Sequence, residues 1–375
     1  MKTNFFLILF FTLVFFSVAL HGAWTVKQLT DGSGSFSPAI AVSGSNVYVV
    51  WGAASSGNTG VYFKRSSDGG ASWGAAKLLT NNPSNSSVYP AIAASGSNVY
   101  VAWQDDCTGA WQIYFKRSAN NGVSWGTKKK LTNSYGTPGY QAIAASGSNV
   151  YVAWQDDSTL NDEICFRRST DTGANWDAKK RLTNNAGVSE RPAIAASGSN
   201  VYVAWYDDSP GNDEIYFRRS TDKGATWLAA KRLTYTGAYS MRPAIAASGS
   251  NVYMAWDDSS TGDFEIYFKK SIDSGASWGA NKQLTDNSGA SSHPAIAVNS
   301  ANVCVAWHDD CSGTYDVYCK RSTDGGASWQ ANELPIYNPG FSQFPDIAVS
   351  SSKVHVAWED DTPGNDEVFV AYSPL

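Results

Sequence analysis

The sequence predicts an all-β fold, a seven-bladed β-propeller whose blades are four-stranded antiparallel sheets. Three observations predict it: a repeat of about 51 residues, four short strand-like segments in each repeat, and a composition rich in Trp, Tyr and Gly. Bulky aromatic residues favour strands, and Gly supplies the backbone geometry of tight turns. Four short strands in each unit of about 50 residues are typical of a propeller blade.

The first two strands of each unit are the most regular parts of the repeat. The first carries the segment Pro-Ala-Ile-Ala or a variant of it, beginning at Pro38, Pro90, Gln141, Pro192, Pro243, Pro294 and Pro345. The second is of the type Asn-Val-Tyr-Val-Ala-Trp and ends at Trp51, Trp103, Trp154, Trp205, Trp256, Trp307 and Trp358. Successive Trp residues of this set are 51 or 52 positions apart, so the units are in register.

The third and fourth strands complete the unit and indicate how the ring closes. Residues Ile113 to Ser118 are a third strand, and Lys180 to Thr183 are a fourth strand. Residues 24–30 match only a fourth strand, whereas residues 345–373 supply only the first three. We therefore expect the N-terminal strand to join the last blade and close the ring, which removes exposed sheet edges. Residues 24–375 are accounted for as a single propeller domain.

Residues 1–23 are predicted to be a signal peptide. Lys2 precedes an apolar run from Phe5 to Leu20, and small residues at Ser17, Ala19 and Ala23 suit a signal peptidase. The alternative is a membrane anchor, but the run is short for a bilayer span and has no basic flank after it. We expect an exported protein, secreted or extracytoplasmic, with no membrane span after cleavage.

The turn between the third and fourth strands carries a recurring motif, Ser66-Ser-Asp-Gly-Gly-Ala-Ser-Trp73 in the first unit. It recurs at residues 118–125, 169–176, 220–227, 271–278 and 322–329, with Asn120 replacing the Asp once. The Asp can accept hydrogen bonds from turn N–H groups, and the Trp can pack the turn onto its blade. The sequence resembles the Asp-box, or BNR-repeat, proteins of the sialidase-like propeller superfamily. That resemblance implies a structural turn on the face away from an active site.

The opposite face is predicted to be acidic. In six units an Asp follows the second-strand Trp by two positions, at Asp105, Asp156, Asp207, Asp258, Asp309 and Asp360; the first unit has Ala53. Three interpretations remain open: solvated or turn-forming carboxylates, a calcium site, and hydrogen bonding to the hydroxyl groups of a sugar. Calcium is thus one option, and no cofactor is required.

Units differ most at the residue just before the first-strand motif. That residue is Ser37, Tyr89, Tyr140, Arg191, Arg242, His293 and Phe344 in successive units. The loops that lead into it add Tyr135, Tyr235, Tyr239 and Phe341. We expect these side chains to project near the mouth of the central channel. The candidate ligand-binding residues are the six Asp residues and five residues of this variable position: Tyr89, Tyr140, Arg191, Arg242 and His293.

Charge and motif content separate the possible functions. The net charge of −5 and a charged fraction of 16% argue against a nucleic-acid partner. The resemblance implies a possible exo-sialidase with an arginine triad, a Tyr–Glu nucleophile and an Asp acid–base. Only Arg191 and Arg242 fit such a triad, no unit carries a distinctive Tyr and Glu insertion, and the family's sialidases have six blades.

We therefore expect a non-catalytic propeller that binds a glycan or another cell-surface ligand, and a monomer. A sialidase-like glycoside hydrolase is the alternative, and a purely structural extracellular module is the third hypothesis. Cys304 and Cys319 replace the usual Tyr and Phe of adjacent strands in unit six, which predicts a cross-strand disulfide.

Overall fold

The computed structural model describes residues 24–32, 34–55, 58–80, 85–335 and 339–375, and the predicted signal peptide lies outside them. Its strands form seven separate antiparallel sheets arranged as the blades of a propeller, which confirms the predicted fold class. Across the described ranges there are no helices, and hence none long and apolar enough to cross a membrane.

Six blades follow one another in chain order. Blade 1 comprises β2 (Ser35–Ser43), β3 (Asn46–Ser55), β4 (Asn58–Ser66) and β5 (Lys77–Leu78). Blade 2 comprises β6 (Ser87–Ser95), β7 (Asn98–Asp105), β8 (Gln112–Ser118) and β9 (Lys129–Lys130). Blade 3 comprises β10 (Gly139–Ser146), β11 (Asn149–Asp156), β12 (Glu163–Ser169) and β13 (Lys180–Arg181). Blade 4 comprises β14 (Ser189–Ser197), β15 (Asn200–Asp207), β16 (Glu214–Ser220) and β17 (Lys231–Arg232). Blade 5 comprises β18 (Ser240–Ser248), β19 (Asn251–Asp258), β20 (Glu265–Ser271) and β21 (Lys282–Gln283), and blade 6 comprises β22 (Ser291–Asn299), β23 (Asn302–Asp309) and β24 (Asp316–Ser322).

Blade 7 joins the two ends of the described chain. It consists of β25 (Ser342–Val349), β26 (Lys353–Asp360), β27 (Glu367–Pro374) and β1 (Thr25–Gln28). Strand β1 pairs antiparallel with β27, with Thr25 opposite Tyr372 and Gln28 opposite Phe369. The predicted closure of the ring by the N-terminal strand is therefore confirmed.

Blade 6 has a shortened outer edge. Its fourth strand is reduced to a single bridge between Cys319 and Glu333. In blade 4 the pairing continues because Leu233 N–H donates to the carbonyl of Ile215. Pro335 occupies the corresponding position in blade 6. Since Pro has no N–H to donate, the ladder ends there.

The core is built from aromatic residues within and between blades. The second-strand Trp residues are at most 2% exposed, and Trp205 stacks on Tyr216 of the third strand with ring centroids 6.0 Å apart. The motif Trp of the turns in blades 2 to 6 also packs edge-on against a Phe of the preceding blade, as Trp227 does against Phe166 at 4.9 Å. Trp24 packs against the core between blades 6 and 7, at the junction that closes the ring. A Trp residue therefore packs at the contacts between neighbouring blades, with a Phe partner in five of them.

Most basic residues of the third strands also join neighbouring blades. Lys116 Nζ donates to the carbonyl of Leu79 at 2.7 Å, and Lys320 Nζ donates to the carbonyl of Leu284 at 2.6 Å. A carbonyl oxygen that would otherwise lack a partner at the blade interface is thereby satisfied. These cations belong to the architecture rather than to a ligand site.

The two faces of the propeller carry different loops. On one face the motif turn contacts the turn between the first two strands, as Gly69 N–H donates to the carbonyl of Ser45. On the other face the loop entering the first strand meets the loop after the second strand, as Ser86 N–H donates to Asp106 Oδ1 at 2.8 Å. We call this second face the mouth face.

Candidate functional site

Each first strand contains a bulge at the residue before the Pro-Ala-Ile-Ala segment. In blade 4 the register shifts between Glu190 and Ala193, so that Arg191 and Pro192 form the bulge. The equivalent residues all have a positive φ, between 46° and 54°: Ser37, Tyr89, Tyr140, Arg191, Arg242, His293 and Phe344. Left-handed backbone costs an L-residue about 1 kcal/mol or more, and bulges re-aim side chains. The positions that vary most between units are thus also the strained ones.

Five of these bulge residues line one cavity on the mouth face. This mouth cavity has a volume of about 300 Å³. Its walls are formed by the bulge residues of blades 3 to 7 and the residues that follow them: Tyr140, Gln141, Arg191, Pro192, Arg242, Pro243, His293, Pro294, Phe344 and Pro345. The expectation that the variable residues gather near the channel mouth agrees with this lining.

Tyr89, Tyr140 and Arg191 form a continuous stack along blades 2, 3 and 4. The rings of Tyr89 and Tyr140 are 6.0 Å apart and 25° from parallel. The guanidinium carbon of Arg191 lies 4.5 Å from the centroid of the Tyr140 ring. Tyr89 and Tyr140 remain 48% and 42% exposed. This aromatic–arginine stack therefore presents partly exposed aromatic rings and a cation to solvent beside the mouth cavity.

Arg242, the second candidate arginine, is paired with a carboxylate that the sequence analysis missed. Its Nη1 lies 2.6 Å from Oδ2 of Asp257, whose side chain is fully buried. Burial raises the pKa of Asp257 to about 6, although the attraction of Arg242 lowers it. At neutral pH the charge of Arg242 is balanced by Asp257, so Arg191 is the less neutralised of the two.

His293 and His308 form a neutral pair at the blade 6 side of the cavity, with ring centroids 4.7 Å apart. Burial lowers the pKa of His293 to about 2 and of His308 to about 4. Nδ1 of His308 accepts a hydrogen bond from Phe344 N–H, 3.2 Å away. The neutral ring therefore carries its proton on Nε2, which lies 2.8 Å from Ser292 Oγ. That tautomer cannot take the Ser292 proton, so the pair does not form a serine–histidine nucleophile.

Tyr206 and Glu190 form a hydrogen-bonded pair that sequence reasoning did not identify. The Tyr206 hydroxyl donates to Glu190 Oε2 at 2.8 Å. Burial, followed by the interaction with Glu190, raises the pKa of Tyr206 well above its ordinary value. A phenol held in its protonated form by these effects is a weak nucleophile.

The signal that could have identified Asp257, His308 and Tyr206 lies in the repeat itself. Each is the residue immediately after a second-strand Trp, a position with six different residue types in the seven units: Gly52, Gln104, Gln155, Tyr206, Asp257, His308 and Glu359. Several of them accept a hydrogen bond from the bulge N–H of the next blade, as Gln155 Oε1 does from Arg191 at 2.9 Å and Glu359 Oε2 does from Ser37 at 2.8 Å. Side chains at this second variable position therefore hold the backbone of the neighbouring bulge by hydrogen bonds.

The six Asp residues expected to form an acidic binding surface lie inside the blades. Asp105, Asp156, Asp207, Asp258, Asp309 and Asp360 are each at most 1% exposed. Asp207 Oδ2 accepts hydrogen bonds from Trp205 Nε1 at 3.2 Å and from Ser189 Oγ at 2.7 Å. Its other oxygen accepts the Ser209 N–H at 3.0 Å. Because the buried indole and hydroxyl need an acceptor, these carboxylates turn inward instead of reaching a ligand, which departs from the sequence expectation.

Calcium binding finds no support in this set of carboxylates. Their oxygen atoms already accept N–H and O–H donors, whereas a Ca²⁺ ligand must direct its lone pairs at the ion. Within the part of the chain that the structure describes, no three His, Cys, Asp or Glu side chains are grouped so that they could hold a metal.

The predicted disulfide is not formed in the structure, because Cys304 and Cys319 are both free and buried. The register of β23 and β24 places Cys304 opposite Arg321 and Cys319 opposite Ala306. The two cysteines are thus diagonal rather than directly opposed. Diagonal neighbours are about 7–8 Å apart, beyond the usual span of a disulfide.

The aromatic residues of the entry loops are exposed on the mouth face, outside the lining of the mouth cavity. Tyr135, Tyr235, Tyr239 and Phe341 keep 105%, 75%, 53% and 45% of their surface exposed. Phe341 lies 6.2 Å from Tyr315, ring to ring. Exposed aromatic rings grouped on one face are characteristic of a binding surface.

The sequence matches no protein-family model and no curated protein sequence. Its structure resembles that of a Dyadobacter fermentans protein of unknown function (TM-score 0.56, 13% identity, 93% of this chain and 99% of that chain). It also resembles the endosialidase of phage phi92 (TM-score 0.57, 9% identity, 94% and 69%) and the Hadza microbial sialidase Hz136 (TM-score 0.52, 15% identity, 91% and 66%). These similarities show a shared sialidase-like propeller fold.

Proposed function

We propose that this chain is a secreted Asp-box propeller that binds a glycan on a cell surface through its mouth face and does not hydrolyse it. The aromatic–arginine stack of Tyr89, Tyr140 and Arg191 is the observation that carries the proposal. The C–H faces of a sugar ring pack against exposed aromatic faces, and a guanidinium donates hydrogen bonds to hydroxyl groups. The exposed aromatic residues of the entry loops add further rings to the mouth face.

The structural comparisons support a carbohydrate as the class of ligand. Two of the similar structures are named as a sialidase and an endosialidase, and both share the propeller with this chain at low sequence identity. A common fold hosts different functions, so the ligand is argued from the site itself. The site offers stacking surfaces and hydrogen-bond donors, which suit a sugar.

A glycoside hydrolase is the second candidate, and the Tyr206–Glu190 pair favours it. The family resemblance implies a Tyr with a partner Glu as nucleophile, and these two groups are 2.8 Å apart near Arg191. Three features weigh against catalysis. Tyr206 is only 5% exposed, its pKa is raised, and Arg242 is neutralised by Asp257. Binding without turnover is therefore the better supported function.

One experiment separates the two candidates. The protein is applied to a glycan array with and without chelator, and it is incubated in parallel with a fluorogenic sialoside. We expect binding to a subset of glycans, no effect of chelator and no fluorescence. Turnover that is lost in the Tyr206→Phe variant would establish the hydrolase instead. Loss of array binding with chelator would add calcium to the site.

A further inference from the structure

Gln141 interrupts a ring of proline residues at the junction of the mouth cavity and the central channel. The residue after the bulge is Pro38, Pro90, Pro192, Pro243, Pro294 or Pro345 in the other six blades. Gln141 lines both the mouth cavity and the channel beneath it. Proline has no side-chain hydrogen-bonding group, so Gln141 is the one polar side chain among these seven equivalent positions.

The orientation of the Gln141 amide follows from its neighbour. Its Nε2 donates to the carbonyl oxygen of Tyr89 in the adjacent blade. That oxygen can only accept a hydrogen bond, so the amide nitrogen must face it and Oε1 must face elsewhere. Gln141 is 7% exposed, and its Oε1 is buried without a hydrogen-bond partner.

A buried acceptor without a partner is unfavourable, and native proteins rarely keep one without a reason. Gln141 follows Tyr140, the central residue of the aromatic–arginine stack, and both residues line the mouth cavity. The terminal torsion of Gln has a broad energy minimum, so small rotations of the amide can direct the carbonyl oxygen at a molecule that enters the cavity.

We infer that Gln141 determines which sugars the site accepts, because its Oε1 receives a hydrogen bond from one hydroxyl of the sugar that packs beside the aromatic–arginine stack. This inference rests on the proposed glycan-binding function and specifies how the site selects among sugars. The ligand is then the terminal sugar of a glycan, entering the mouth with a hydroxyl directed at the cavity floor. A sugar that lacks this hydroxyl leaves the buried acceptor unpartnered and binds more weakly.

The chain itself supplies a conservative test variant. The neighbouring blade has the dipeptide Tyr89-Pro90 where blade 3 has Tyr140-Gln141, and the two Tyr residues have φ of 50° and 47°. Gln141→Pro therefore fits the existing backbone. Gln141→Met keeps the side-chain length but removes the amide. Gln330→Ala, on an exposed residue beside the Trp329 turn, is the matched control.

The affinities of the four proteins are measured by calorimetry for the tightest-binding array glycan and for its monodeoxy derivatives. We expect the wild type and Gln330→Ala to bind one derivative about three- to tenfold more weakly than the parent. We expect Gln141→Pro and Gln141→Met to bind the parent with the same loss and to bind that derivative without further loss. Thermal unfolding of each variant establishes that it is folded.

The contrary outcomes are distinguishable. If a glycan binds but the Gln141 variants discriminate the derivatives as the wild type does, the inference about Gln141 is overturned and the proposed function stands. If the wild type binds no glycan of the array, both the proposed function and the role of Gln141 are overturned.

Discussion

The indole Nε1 of Trp205 donates a hydrogen bond to Oδ2 of Asp207 across 3.2 Å, with both side chains buried. The same pair recurs in five other blades at 3.0 to 3.3 Å: Trp103–Asp105, Trp154–Asp156, Trp256–Asp258, Trp307–Asp309 and Trp358–Asp360. The Asp position that the sequence predicts to form an acidic surface is therefore part of the internal structure of these six blades.

Replacing Asp207 with Ala is expected to destabilise the fold rather than to remove a ligand contact. Trp205, Ser189 and the Ser209 N–H would lose their acceptor, which should lower the free energy of unfolding by about 2–4 kcal/mol. Urea unfolding monitored by Trp fluorescence measures the change. Asp263→Ala is the control because Asp263 is exposed on the loop between β19 and β20, and its effect should stay within about 0.5 kcal/mol. An unchanged urea midpoint for Asp207→Ala would refute the structural role.

Trp24 should stabilise the junction at which the ring closes. Its Nε1 donates to Glu333 Oε2 at 2.9 Å, and the Arg321 guanidinium lies 4.9 Å from its ring. We expect Trp24→Ala to lower stability by about 2 kcal/mol, and Trp24→Phe by about half of that because the aromatic face is kept. Differential scanning calorimetry of the three proteins tests this. Equal melting temperatures would show that the junction does not depend on Trp24.

Asp346 should make stability depend on pH. It occupies a channel position that is Ala in the other blades: Ala39, Ala91, Ala142, Ala193, Ala244 and Ala295. Burial raises its pKa to about 6, although hydrogen bonds from the Ile40 and Ile347 N–H groups lower it. Because the folded state holds the proton more tightly, the contribution of Asp346 to stability is greatest below pH 4 and decreases as pH rises to about 6.

The variant Asp346→Ala removes this contribution. Between pH 4 and pH 7 the free energy of unfolding of the wild type should fall by about 1–3 kcal/mol more than that of Asp346→Ala. Equilibrium denaturation at four pH values across this range provides the comparison. Parallel pH profiles for the two proteins would show that Asp346 does not titrate in this range.

The five cysteines should all be free thiols, since the described cysteines form no disulfide. Thiol titration of the denatured, unreduced protein should therefore detect five equivalents. Mass spectrometry of the alkylated protein identifies the modified residues. Recovery of only three thiols, with Cys304 and Cys319 unmodified, would restore the cross-strand disulfide that the sequence suggests.

Much of the fold could be predicted because the same strand pattern recurs in every unit of the sequence. The spacing of the second-strand Trp residues, and the match of residues 24–30 to a fourth strand, were sufficient for the blade count and the ring closure. The bulge residues could also be found, because the residue before the Pro-Ala-Ile-Ala segment varies between units within an otherwise regular strand. Variation between units is thus informative about the mouth of the channel.

The contacts of the site could not be predicted from that pattern. Whether Asp207 faces water or an indole depends on the side on which its carboxylate lies, and a regular spacing does not specify this. The pairing of Arg242 with Asp257 depends on the register between neighbouring strands. Likewise, the diagonal offset of Cys304 and Cys319 follows from a strand register that two sequence positions alone do not determine.

The central claim is that the mouth face binds a glycan through the aromatic–arginine stack without cleaving it. The most direct measurement is the affinity of the wild type and of Tyr140→Ala for an array-selected glycan, with mass spectrometry of the glycan recovered afterwards. Leu228→Ala, which removes another exposed apolar side chain, is the control. We predict about a tenfold or greater loss of affinity for Tyr140→Ala, none for the control, and a glycan of unchanged mass. Equal affinity for wild type and Tyr140→Ala, or a shortened glycan, would contradict the account.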